Sequence, residues 1–210
     1  MSALPARALR RDAERNRATL LTAAERLLGR DAHASMEAIA REAGLSRRAV
    51  YGHFADREAL LGELVRLGAE RFNAIAAAVP ADDGAGAPIA IARLTARLWD
   101  EAAQVQVAAA IALDDAHVQH TAAALAPLRR RLLDLVLAGQ EARSLRTDIP
   151  AGTLARLIEE TGRMIIIRLE TSSAAAARLL AVRTVLSVAG LSWRESDELL
   201  SAHPDLTGPE

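Results

Sequence analysis

The sequence predicts an all-α protein, and three observations carry that expectation. Hydrophobic residues make up 51% of the chain but aromatics only 2%. The apolar mass is therefore Ala, Leu, Val and Ile, which builds helix interfaces more readily than strands. Apolar positions recur at helical spacing along most of the 210 residues, and no run carries the alternation or turn chemistry of a strand pair.

Taken in order, residues 1–11 read as a disordered basic arm with Arg7, Arg10 and Arg11. A first helix is expected from about Asp12 to Leu28, because Leu20, Leu21, Ala24, Leu27 and Leu28 form one stripe and Gly29 stops it. Ser35 is a good N-cap for a short second helix carrying Ile39, Ala40 and Ala43, with Gly44 as its stop. Ser46 caps a third. A fourth starts at Asp56 and keeps its period through Leu60, Leu61, Leu64, Phe72 and Ile75 to Pro80. ADDGAGA, residues 81–87, is the clearest loop. Further helical patterns cover about 88–103, 105–118, 121–139, 152–170 and 173–189, so about nine helices are expected.

Composition narrows the function classes. There is no Cys, which removes disulfides, thiolate catalysis and Cys-based zinc sites. The N-terminus lacks a signal peptide's apolar stretch and no run suits a membrane span, so a cytoplasmic protein with no membrane partner is expected. The net charge of −1 conceals an asymmetry. Residues 1–60 hold 11 Arg against 8 acids and residues 61–210 hold 15 Arg against 19 acids. A basic head on an acidic body suits a protein whose N-terminal part meets phosphate. Lys is absent altogether, so every cationic phosphate contact must come from Arg.

The stretch from Glu37 to Leu61 reads EAIAREAGLSRRAVYGHFADREALL: a short helix, a turn containing Gly, and another short helix. Ala40 is small where two helices cross, Gly44 permits a sharp turn, and Leu45 and Val50 pin the second helix to a core. Arg47, Arg48, Ala49, Tyr51 and Gly52 then fall on its outer side. AGLSRRAVYGHFADREALL resembles the signature of the tetracycline-repressor (TetR) family of bacterial regulators, over roughly residues 12–65. The resemblance rests on the Gly-Leu-Ser turn, Tyr51, the His53-Phe54 pair and the Asp-basic-Glu start of the fourth helix. Behind the head, LRTDIPAGTLARLIE is similar to the family's join into its eighth helix.

The resemblance implies a helix-turn-helix DNA-binding domain at 12–58 and an effector-binding and dimerisation domain at 59–210. Ser35, Ser46, Tyr51 and Arg57 match positions that meet phosphates in the family, and His53 is a packing or phosphate residue. Ser35 and Ser46 also sit at helix N-termini, where free N–H groups favour an anion. Arg47, Arg48 and Ala49 match base-reading positions. An Arg can grip guanine O6 and N7 together, and the Ala49 methyl could touch a thymine methyl. Arg48 stands where the family often has Gly or Pro, which puts its mode of base reading apart from better-known members.

In the body, Val107, Ile111, Asp114 and Val118 share one helical face, and Asp114, His117 and His120 step by three residues. Trp99, Ile111, Asp114 and His117 are the candidate effector pocket. A metal there is disfavoured, because the spacing fits no standard ligand motif, and no cofactor is expected. Leu154, Leu157, Ile158, Thr161 and Ile165, with Leu179, Val182, Leu186 and Ala189, mark the helices at 152–170 and 173–189 as the expected homodimer contact. The function expected is a ligand-responsive regulator, a repressor in the family's usual sense, holding a palindromic double-stranded operator as a dimer. A helical enzyme using the Asp114, His117 and His120 cluster and a non-DNA helical adaptor remain as alternatives. No nucleotide-binding glycine loop, HExxH or nucleophile elbow supports the first of these.

Overall fold

The computed structural model describes residues 6–31, 33–80, 84–104, 123–168 and 174–206. Among them the chain is all-α, with nine helices and a short 3₁₀ turn. It divides into two compact units, Met1–Leu67 and Gly68–Glu210. The boundary falls inside the fourth helix, about nine residues beyond the expected domain limit at 58.

The first unit contains α1 (Ala6–Leu28), α2 (Met36–Glu42), α3 (Arg47–His53) and the opening turns of α4 (Arg57–Ala78). Its core is the stripe read from the sequence. Leu20, Ala24 and Leu28 of α1 are fully buried with Ile39, Val50 and Leu60, and Phe54 and Leu64 are nearly so. α1 begins at Ala6 rather than Asp12, so most of the expected arm is helix. Pro5 is the last helix breaker before a run of Ala, Leu and Arg, all good helix formers.

The second unit contains the rest of α4, then α5 (Ala87–Gln104), α6 (Ala126–Glu141), α7 (Ala151–Arg168), α8 (Ala174–Ala189) and α9 (Trp193–Ala202), closed by the turn Pro204–Leu206. α5 packs along α8, α6 along α7, and α7 along α8. The main core joins Ile91 and Leu94 of α5, Leu135 and Val136 of α6, Leu154 and Ile158 of α7 and Val185 of α8. α6 starts without a cap of its own, since Leu125 offers no side-chain acceptor. Asn73 of α4 supplies it: its Oδ1 accepts from the Leu128 amide at 3.1 Å and its Nδ2 donates to the Ala124 carbonyl at 2.9 Å. The LRTDIP segment is fixed by Gln140, whose amide donates to the carbonyls of Arg146 and Ile149, both at 2.8 Å.

α9 was not anticipated, and it changes the reading of α8. Leu200 and the following Leu206 pack on Ala92 and Ala96 of α5 and on Val182 and Leu186 of α8. Arg178 of α8 holds this segment down, donating to the carbonyls of Leu206 at 2.5 Å and Asp205 at 3.2 Å and pairing with Asp100 at 2.9 Å. Most of the residues expected at a dimer contact are therefore engaged inside the chain itself. Leu154, Val182 and Leu186 are fully buried within one chain, Ile158 and Ile165 nearly so, and Leu179 packs against the same cluster. Side chains fully buried within one chain have no surface left to offer a second subunit.

Candidate nucleic-acid interface and ligand cavity

The candidate nucleic-acid interface is built on two helices of seven residues each. Ser35 Oγ accepts from the Ala38 amide and Ser46 Oγ from the Ala49 amide, each at 3.2 Å, so both serines cap as their sequence context suggests. Capping uses the oxygen as acceptor and leaves each O–H able to donate outward. Between the helices Gly44 takes φ +66°, a left-handed conformation that costs a residue with a Cβ. The turn closes with the Leu45 amide on the Ala40 carbonyl at 2.9 Å and the Gly44 amide on Arg41 at 3.1 Å.

α3 is held by one buried side chain, Val50. Phe54 follows it into the core, where the Arg17 guanidinium lies 5.3 Å from its ring centroid. On the opposite face Arg47, Arg48, Tyr51 and Gly52 are exposed, while Ala49 and His53 are partly buried at its edges. Arg47 is already ordered, lying 5.3 Å from the Tyr51 ring centroid and 3.3 Å from a Glu37 carboxylate oxygen. Glu37 was not among the sequence candidates, and only its position on the preceding helix gives it this role. Arg57 is placed differently from the others, half-buried with its Nε donating to the Ala34 carbonyl at 3.2 Å. It fixes the chain entering α2. Asp56 caps α4 by accepting from the Ala59 amide at 2.8 Å.

A small buried anchor, a glycine turn and an exposed Arg-Arg-x-x-Tyr face form a helix-turn-helix, and residues 20–64 match the family model of bacterial regulatory proteins of the tetR family. The head is that of a DNA-binding transcriptional regulator of the tetR family. Solved structures share the fold. A tetR-family regulatory protein from Rhodococcus RHA1 superposes with a TM-score of 0.69 at 19% identity, over 84% of this chain and 98% of that one. PfmR from Thermus thermophilus does so with a TM-score of 0.65 at 19% identity, over 82% and 95%. LfrR from Mycobacterium smegmatis, solved in complex with proflavine, has a TM-score of 0.59 at 20% identity, over 84% and 96%. No curated protein matches the chain in sequence. TetR-family proteins are regulators and not enzymes, which removes the enzyme alternative.

The second unit holds a partly open cavity of about 100 Å³. Leu94, Leu98, Leu128, Leu132, Ile158 and Val185 supply much of its apolar wall. Trp99, one of the four pocket candidates, is among the residues that line it and is 7% exposed. The other three pocket candidates, Ile111, Asp114 and His117, lie outside the described residues, as does His120. The polar lining found instead is Arg129, Glu159, Arg163 and Thr95. Arg129 Nε donates to both oxygens of Glu159, at 2.7 and 3.0 Å. These groups sit 30 residues apart on α6 and α7, and no local sequence signal joins them. No helix among the described residues is long and apolar enough to cross a membrane.

Proposed function

We propose that this regulator is a ligand-responsive repressor that binds a palindromic operator as a homodimer. The observation that carries the ligand half is the apolar cavity of the second unit, with concave walls and few polar groups, as small-molecule sites have. The proflavine complex of LfrR supports it, since that protein of the same fold holds a small molecule. In this reading Arg47 and Arg48 read base edges, and Ser35, Ser46 and Tyr51 meet phosphates, with His53 and Ala49 at the rim. Arg57 acts by positioning α2. One seven-residue helix reads few bases, so two heads spaced by about 34–36 Å are needed for a specific site.

The homodimer would use the apolar side chains that α7 and α8 leave outside the core. Leu157, Met164 and Leu180 are 43%, 54% and 42% exposed, and Leu157, Thr161 and Met164 follow one face of α7. The test is fluorescence anisotropy on duplex DNA from the region upstream of the coding sequence, titrated with protein at several salt concentrations. Saturable binding of two chains per inverted repeat, with steep salt dependence, supports the reading. Binding of one chain to a half-site with full affinity would overturn the dimer.

A further inference from the structure

The chemistry of the cavity wall specifies a class of ligand. We propose that it selects a small, mainly aliphatic molecule ending in a carboxylate and discriminates against organic cations. This rests on the reading of the cavity as an effector site.

Hydrogen-bonding capacity is the first argument. Trp99 is buried, and its Nε1 has no hydrogen-bond partner among the described residues. An indole nitrogen is a donor only. Thr95, the neutral hydroxyl of the wall, already donates to the Ile91 carbonyl at 2.8 Å. Among the described lining residues the unmatched group is therefore an N–H, and leaving a buried donor unmatched is costly. A ligand that supplies an oxygen acceptor satisfies it, and an ammonium group cannot.

Charge is the second argument. Among the described residues the lining brings two guanidinium groups, Arg129 and Arg163, beside the carboxylate of Glu159. Glu159 is engaged through both oxygens by Arg129, while Arg163 pairs at 2.8 Å with Glu160, which lies outside the lining. An entering cation would have to pull Arg129 from Glu159 in an apolar surround. An entering carboxylate instead meets the N–H groups of two guanidiniums.

Shape is the third. The remaining wall is Leu, Ile and Val side chains with the rings of Trp99 and Phe72, which suits a chain of methylenes.

Three probes with one tail and different heads test this: octanoate, octanol and octyltrimethylammonium. Trp193 is 68% exposed and is the second of two tryptophans, so Trp193→Phe leaves Trp99 as the reporter. Octanoate should change Trp99 fluorescence at the lowest concentration and the cation at the highest, with octanol between them. By calorimetry, Trp99→Phe should weaken octanoate about tenfold while leaving folding intact. Tighter or equal binding of the cation overturns the proposal and leaves the cavity as an effector site of another class. Failure of all three probes to reach Trp99, or an unchanged octanoate affinity in Trp99→Phe, also overturns it. Octanoate that binds at Trp99 and leaves operator affinity unchanged would keep the ligand class and sink ligand gating instead.

Discussion

Glu63 accepts a hydrogen bond at 2.5 Å from Arg17, a residue 46 positions earlier in the chain. The same carboxylate receives Arg66 at 2.7 and 2.9 Å, so two guanidinium groups share one acceptor within the first unit. Together they hold α1 against α4, and Arg17 reaches over the Phe54 ring from the same place. The pairing with Arg66 first, and with Arg17 after it, lowers the Glu63 pKa to about 2.

Acid should therefore weaken the head through Glu63. A carboxylate whose folded pKa is depressed contributes stability that is complete above its unfolded pKa, near 4.5, and is lost as pH falls toward about 2. The contribution should be on the order of 1 kcal/mol, because both arginines are partly exposed and screened. Glu63→Gln should melt below wild type at pH 7, and the gap should close between pH 4.5 and 2. A gap that stayed constant with pH would mean that packing, not charge, ties Glu63 in place.

Loss of Arg47 or Arg48 should be felt on the operator above all. If each holds a guanine through two hydrogen bonds, Arg47→Ala and Arg48→Ala should each cost about 1–3 kcal/mol on the operator and little on scrambled duplex. Arg47 first has to leave Glu37, 3.3 Å away. Glu37→Gln should then tighten DNA binding by up to about fivefold, the ~1 kcal/mol ceiling of an exposed pair. Anisotropy titrations on operator and scrambled DNA measure both. A Glu37→Gln variant that bound more weakly would show that Glu37 orients Arg47 rather than restraining it.

Gly52 sits inside α3, and a Cβ built there meets nothing within 4 Å. No fold constraint calls for glycine, so Gly52→Ala should raise the stability of the head by about 0.5–1 kcal/mol. The same methyl would stand on the face proposed to meet DNA, where it should lower affinity for all sequences. Differential scanning calorimetry and anisotropy together give the sign of each effect. A stabilised variant with unchanged DNA affinity would remove Gly52 from the interface.

Gly139 is the opposite case. An added Cβ would come within 2.5 Å of Leu145 Cγ and 2.8 Å of Ala87 Cβ. Both neighbours are packed, so Gly139→Ala should cost about 1–3 kcal/mol through overpacking and lower the melting temperature of the second unit. Little change in melting would show that the LRTDIP segment can shift to admit a methyl.

The head was legible because each of its parts has a local cause. Ser35, Ser46 and Asp56 cap the helices that follow them, Gly44 takes the positive φ its turn requires, and the α1 stripe is buried. The body was less legible for two physical reasons. The capping box of Ser192 and Glu195 marks α9 plainly, with the Ser192 amide donating to Glu195 Oε2 at 2.7 Å and the Glu195 amide to Ser192 Oγ at 3.3 Å. Ending the helical patterns at residue 189 passed over that signal and left α8 without its intrachain cover. Arg129 meeting Glu159 and Asn73 capping α6 depend on how helices cross, which periodicity along one helix does not encode.

The proposed dimer surface leads to the sharpest contrast between variants. Leu186 is fully buried under Leu200 and Leu206, so Leu186→Asp places a carboxylate in an intrachain core. It should destabilise the second unit itself, because an unpaired buried charge must either stay desolvated or take up a proton. Loss of the dimer there would follow from unfolding and say nothing about the interface. Met164 of α7 is 54% exposed, and Leu157 lies two turns before it on the same face. Met164→Asp and Leu157→Asp should leave the helical signal and the monomer's melting nearly unchanged while shifting sedimentation from dimer to monomer. Operator affinity should fall with them, since each half-site would then be held by one short helix. If Met164→Asp and Leu157→Asp both sediment as dimers while Leu186→Asp unfolds, α7 keeps its core role and the two chains must associate through another surface.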